Sequence, residues 1–327
     1  MNRTGKKITV LHVISTALAL AIVTLSIAGC LSSGGGTTPT TRYFLFVTNH
    51  GSNNVSAYTI NSNTGALTAV SGSPFAAGTG PEGLEVDPTG KFLYVVNSGS
   101  DAVSAYVIDS SNGTLSAVAG SPFVAGDFPG GITVDPTGKF LYVGNWGDNT
   151  VSAYTINSTG SLTAIGSAIA AGKSPWDVAV DSTGKFLYVT NNGDGSVSAF
   201  SINASTGAPT AVSGSRFTAG PRGVAVDPTG KFLYVANYND NNVSAYTINS
   251  GSGALTPVGP AIAAGSNPGG MAVDPTGKFV YVANGNSGNI SVYTINPSTG
   301  ALSEVKGSPF AAGSSPFSVA IATVTSH

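Results

Sequence analysis

The chain has 327 residues, a formal net charge of −2 and only 9% charged side chains, with 44 glycines and 41% hydrophobic residues. Such a chain has no basic surplus to attract nucleic acid, and its single cysteine excludes an internal disulfide, so packing must carry the stability. Gly, Ser, Thr, Asn, Val and Ala dominate, which is the composition of a turn-rich all-β protein.

Residues 1–29 read as an export signal. Arg3, Lys6 and Lys7 precede an apolar run from Ile8 to Ala28, which ends in Ile27-Ala28-Gly29-Cys30. Small residues ahead of the cleavage point fit a signal peptidase. The run approaches the roughly 20 apolar residues that span a bilayer, but His12 and several Ser and Thr interrupt it. Cys30 resembles the lipobox cysteine of bacterial lipoproteins, and this resemblance implies acylation of its thiol and of its new amino terminus. Several chains hold a protein stably to a membrane where one does not. Leu31 follows in place of the Asp that favours inner-membrane retention, so the expected location is the cell envelope, at the outer membrane or cell surface. Residues 30–41 are small and polar; beyond Cys30 they form a flexible tether with a span of about 18 Å. Without the leader, ten basic residues remain against 15 acidic ones.

From residue 42 to residue 327 the chain repeats. Phe46-Val47-Thr48-Asn49 recurs at Tyr94 to Asn97, Tyr142 to Asn145, Tyr188 to Asn191, Tyr234 to Asn237 and Tyr281 to Asn284, with Asn-to-Asn intervals of 48, 48, 46, 46 and 47. Each unit predicts four strands: a Pro-x-Gly-Val-Ala-Val run such as Pro221 to Val226, then Lys231 to Asn237, then Val243 to Asn249, then a fourth around Leu255 to Ile262. The first two are joined by Asp-Pro-Thr-Gly turns such as Asp227 to Gly230, in which Pro presets φ, Asp bonds back to the backbone and Gly takes positive φ. Consecutive apolar residues in strands one and two predict sheets covered on both faces, as in a β-propeller, where each blade packs between two neighbours. Six units predict six four-stranded blades. Because the domain begins at a second strand (Tyr43 to Thr48) and ends on a first strand (Pro316 to Val324), the two ends are expected to complete one blade and close the ring as a monomer.

Tyr188-Val189-Thr190-Asn191, together with the Pro-x-Gly-Val-Ala-Val-Asp-Pro-Thr-Gly-Lys and Val-Ser-Ala-Tyr-Thr-Ile-Asn runs, resembles the YVTN propeller repeats and the related lactonase-type propellers, which include 6-phosphogluconolactonase. The resemblance covers nearly all of the chain after the tether. It implies a propeller of seven blades, the alternative to the six counted here, and a lactonase as one expected activity.

Residues present in every unit build blades, so candidate functional residues are those that break the repeat. The turn residues Asp87, Asp135, Asp181, Asp227 and Asp274 and the lysines four positions on are scaffold. Strand direction places Pro-x-Gly, the repeated Asn and the loop after it on one face, the top. The residue after Pro is Glu82, Gly130, Trp176, Arg222, Gly269 or Phe317. In a six-fold ring Glu82 and Arg222 oppose each other across the channel, as do Trp176 and Phe317, and Asp177 replaces the Gly of its unit. Nearby loops add Lys173, Asp127, Phe128, His50, Trp146, Asp148, Asp194 and Tyr238. Lactone hydrolysis needs an activated water and a stabilised oxyanion, for which Glu82 or Asp177 would be the base and Arg222 the electrostatic partner. The bland alternative is a rim of solvated charges with two aromatics wedged between blades.

Asn191 to Gly195 and Asn237 to Asn242 hold oxygens that suit calcium, but the same residues are what tight loops need, so no metal and no cofactor is expected. No zinc spacing, Gly-x-Ser-x-Gly elbow or phosphate loop is present. Three functions remain: a scaffold binding a small molecule, polymer or protein at the top face; a lactone hydrolase; and a structural surface protein.

Overall fold

The computed structural model describes residues 42–60, 67–212, 217–218, 221–312 and 316. The expected leader, Cys30, the tether and the closing strand beyond Pro316, with Phe317 on it, lie outside the described residues.

The described residues form six antiparallel sheets. In the second sheet the order from the inside outward is Pro81–Val86, Phe92–Asn97, Ala102–Ile108, then Leu115–Ala117. The next inner strands are Pro129–Val134, Pro175–Val180, Pro221–Val226 and Pro268–Val273, and each touches the one before it. The chain is thus a β-propeller, with blades set side by side around an axis.

One expectation needs correcting. The fourth strand comes as two short pieces, Leu115–Ala117 and Phe123–Val124, which pair with opposite ends of Ala102–Ile108. Between them the chain turns, with Gly120 at φ +86 and Ser121 donating its amide to Val118 O. Ser121 Oγ then accepts the amide of Ala105 at 2.9 Å, in place of a ladder bond. A broken outer strand presents little edge for another chain to pair with.

The repeated residues have clear structural tasks. In the Asp-Pro-Thr-Gly turn the buried Asp87 takes the amides of Lys91 and Phe92 on Oδ1, both at 2.7 Å, and the Thr89 amide on Oδ2. The buried Asn97 accepts the Gly78 amide at 3.0 Å and donates to Ser104 Oγ at 3.0 Å, which ties the second strand to the third. Blades lock through aromatics. Phe92 packs on Gly160 of the next blade, where a Cβ would lie 2.3 Å from the ring, and the Tyr94 hydroxyl donates to Gly160 O at 3.0 Å. Phe140 and Tyr142 meet Gly207 in the same way, and Phe186 and Tyr188 meet Gly253.

Candidate functional site

Each inner strand pairs out of step with its neighbour near its start. Pro81 pairs with Asn97 but Leu84 with Val95, so one extra residue is inserted. Pro129, Pro175, Pro221 and Pro268 open the same bulge. Such a bulge bends the strand and re-aims a side chain. Glu82, Gly130, Trp176, Arg222 and Gly269 occupy it, so the positions that break the repeat are the ones turned out of the ladder. The Gly that follows allows neighbouring inner strands to approach closely: a Cβ on Gly83 would lie 2.6 Å from Gly130 O, and one on Gly223 would lie 2.3 Å from Gly269 O.

Glu82 is 3% exposed. Its Oε1 lies 3.5 Å from His50 Nε2, while its Oε2 has no hydrogen-bond partner among the described residues. Burial pushes its pKa up to about 7, although the positive charge of Arg222 pulls the other way. Arg222 stands between two aromatic rings, with its guanidinium carbon 4.6 Å from the Trp176 centroid and 4.5 Å from that of Tyr238. Burial lowers the Arg222 pKa, against the opposing influence of Tyr238, which also hydrogen-bonds it, and of Glu82. Stacking of this kind favours the cation and fixes the plane of the guanidinium. Glu82, Arg222, His50, Trp176 and Tyr238 therefore form one group.

The other candidates sit elsewhere or serve the backbone. Asp177 Oδ1 accepts the Val178 amide at 2.9 Å and Oδ2 accepts the Val224 amide of the next inner strand at 3.1 Å. Burial raises its pKa to about 7 against those two bonds. Where four other units have Gly, at 83, 131, 223 and 270, Asp177 bridges two blades with its carboxylate. Phe128 and Trp146 stack on each other at 5.6 Å on the rim, 44% and 41% exposed. Lys173 is exposed, and its amide donates to Asp194 Oδ2 at 3.0 Å. Asp148 Oδ2 takes the Asp127 amide at 2.7 Å, so both of these loop carboxylates close loops. Two further residues touch the bulge and are not among the sequence candidates: Thr48 and Thr190. The Thr48 hydroxyl donates to Glu82 O at 2.8 Å and the Thr190 hydroxyl to Arg222 O at 2.9 Å. Their signal was present: within the Tyr-Val-x-Asn position, only these two of the six units carry Thr.

Residues 36–223 and 211–320 match the family described as lactonase, 7-bladed beta-propeller. The chain belongs to that family. The description specifies seven blades, the alternative raised by the resemblance, whereas six sheets stand among the described residues. No curated protein matches this lactonase-family chain. Among solved structures, the periplasmic gluconolactonase of Pseudomonas aeruginosa is similar, with a TM-score of 0.73 and 20% identity over 97% of this chain and 100% of that one. A protein from Lactobacillus plantarum has a TM-score of 0.72 at 20% identity over 84% of each chain. The hydrazine synthase of Kuenenia stuttgartiensis has a TM-score of 0.64 at 22% identity, over 84% of this chain and 85% of its own. Likeness at this level of identity concerns the fold, which hosts unrelated chemistries.

Proposed function

We propose that this lactonase-family propeller hydrolyses a small lactone at its top face, and that acylated Cys30 holds it at the cell envelope. Glu82 carries the proposal: a buried carboxyl with one unpartnered oxygen, pKa near 7, in the electrostatic reach of an arginine fixed between two rings. A buried polar atom without a partner is costly and calls for an explanation, and a base with a pKa near the working pH is well matched to proton transfer.

In the proposed reaction Glu82 takes a proton from water as the water oxygen attacks the lactone carbonyl carbon. Arg222 stabilises the oxyanion that forms. Collapse breaks the bond between the carbonyl carbon and the ring oxygen, and the proton held by Glu82 passes to that oxygen, giving the hydroxy acid. His50, against Oε1 and with a side chain 38% exposed, lies between the Glu82 carboxyl and solvent. Asp177 is assigned a bracing role, because both of its oxygens already accept backbone amides. The similar Pseudomonas protein is described as a periplasmic gluconolactonase, which favours a sugar lactone and an exported location. The exposed Phe128–Trp146 pair favours a second reading, in which the top face holds a ligand, polymer or protein without turning it over.

The test is hydrolysis of glucono-δ-lactone and of acyl-homoserine lactones by the purified protein and by Glu82→Gln and Arg222→Ala. Turnover of one class, with kcat/KM reduced about 100-fold or more in each variant, is the expected result. Absence of turnover, or a Glu82→Gln variant as fast as wild type, would leave the binding reading.

A further inference from the structure

Thr48 and Thr190 occupy the same position of the repeat, one residue before the structural Asn, in the first and fourth units. Both side chains are fully buried. Each hydroxyl reaches the next blade and donates to the carbonyl of the residue in its bulge, at 2.8 Å for Glu82 and 2.9 Å for Arg222. The equivalent residues are Val96, Gly144, Ala236 and Ala283, none of which has a hydroxyl. Of these, Val96, Gly144 and Ala236 precede the blades carrying Gly130, Trp176 and Gly269. Hydroxyls therefore stand where the next bulge carries a charge and are missing where, among the described residues, it does not.

The Thr190 hydroxyl also accepts the amide of Asp177 in its own blade at 2.9 Å and so links that peptide to the carbonyl of Arg222, whereas Val, Gly and Ala serve the same place in four other units. The bulge supplies the physical reason. Its extra residue is left out of the ladder, so its carbonyl is fixed only if something else binds it, and the aim of its side chain follows the orientation of its peptide. For a glycine this matters little. For a carboxyl and a guanidinium that must converge on one reacting group, an error of about 1 Å costs up to about 100-fold in rate. We infer that Thr48 and Thr190 are positioning residues, whose hydroxyls fix the peptides of Glu82 and Arg222 so that the two charged side chains face one another across the propeller axis. The inference rests on the assignment of Glu82 and Arg222 as the reacting pair.

Two spectroscopic readouts test it apart from catalysis. The chain has three glutamates, Glu82, Glu85 and Glu304, so carbon-13 labelling of glutamate gives a small set of carboxyl signals in which Glu82 is followed by NMR through a pH titration. It has two tryptophans, so Trp146→Phe leaves Trp176, on which Arg222 stacks, as the sole tryptophan, excited selectively beyond the absorption of tyrosine. Thr48→Val should move the Glu82 midpoint towards the ordinary carboxylate range by at least about half a pH unit, and Thr48→Ser should restore it. Thr190→Val should shift Trp176 emission, and Thr190→Ser should restore that. In lactone turnover each Val variant is expected to lose about tenfold in kcat with KM little changed. If a Val variant does not fold, Thr→Ala, the residue found at Ala236 and Ala283, replaces it. Folded variants that leave both the Glu82 titration and the Trp176 emission unchanged would overturn the inference. A wild-type protein without lactonase activity would instead remove the assigned reaction, and the two spectroscopic shifts would still decide whether the threonines position these side chains.

Discussion

Glu82 and Asp177 share a raised pKa, but their oxygens are engaged differently. Glu82 leaves an oxygen unpartnered, whereas Asp177 gives both oxygens to backbone amides. Because the folded pKa of Glu82 stands near 7, above its unfolded value of about 4.5, its charged form opposes folding. Its cost is absent below about pH 4.5, grows between about pH 4.5 and 7, and is fully present above that. Glu82→Gln should therefore stabilise the protein by about 1–3 kcal/mol at pH 8 and by little at pH 4, measured by denaturant unfolding at the two pH values. A Glu82→Gln gain that is the same at both would contradict the burial assigned to this carboxyl. Asp177→Asn keeps the shape but can accept through only one oxygen, so one of the amides of Val178 and Val224 loses its partner. A loss of about 1–3 kcal/mol is expected, with lactonase activity kept by the folded fraction. Subtraction of the repeat picked out both acids in the sequence. Their different hydrogen bonding was not legible there, since it depends on which amides come within reach.

At the scale of the element, the Asp-Pro-Thr-Gly turn was fully legible, because each residue type has one local use. Asp274 shows its energetics: burial works to raise its pKa, but hydrogen bonds from Thr276, Phe279 and Lys278 outweigh this and hold it below the usual value. Its stabilisation is present above the unfolded pKa and is lost as pH falls through the folded one. Asp274→Asn should cost about 2–3 kcal/mol at pH 7 and progressively less as pH falls below the unfolded value of 3.8, as read from thermal or denaturant midpoints. The bulge of the inner strand was not legible, because a one-residue insertion shows only in pairing register. Pro-x-Gly was read as a strand start, whereas it marks the kink that turns Glu82 and Arg222 out of the ladder. Gly131→Ala probes the same kink: its Cβ would lie 2.6 Å from Trp176 O, and a loss of at least about 1 kcal/mol is expected. The broken outer strand was signalled by Gly, Ser and Pro, but the sequence read these as blunting one strand rather than dividing it.

For the whole molecule, a period near 47 residues was enough to specify a propeller, since each unit exposes two apolar faces that only neighbours can cover. Blades are joined by the Tyr94, Tyr142, Tyr188 and Tyr234 hydroxyls, each bonded to a glycine carbonyl in the next blade. The site is equally a property of the ring. Glu82 and Arg222 are 140 residues apart in the chain, and only the circular arrangement lets their charges act on each other. The pH dependence of kcat/KM for lactone hydrolysis by the wild-type protein tests the role of Glu82 most directly. The expected result is a limb that rises with pH around a pKa near 7, is kept in Asp177→Asn and disappears with activity in Glu82→Gln. A limb centred between about pH 4 and 5, the range of an ordinary carboxyl, or one that survives in Glu82→Gln, would contradict Glu82 as the base.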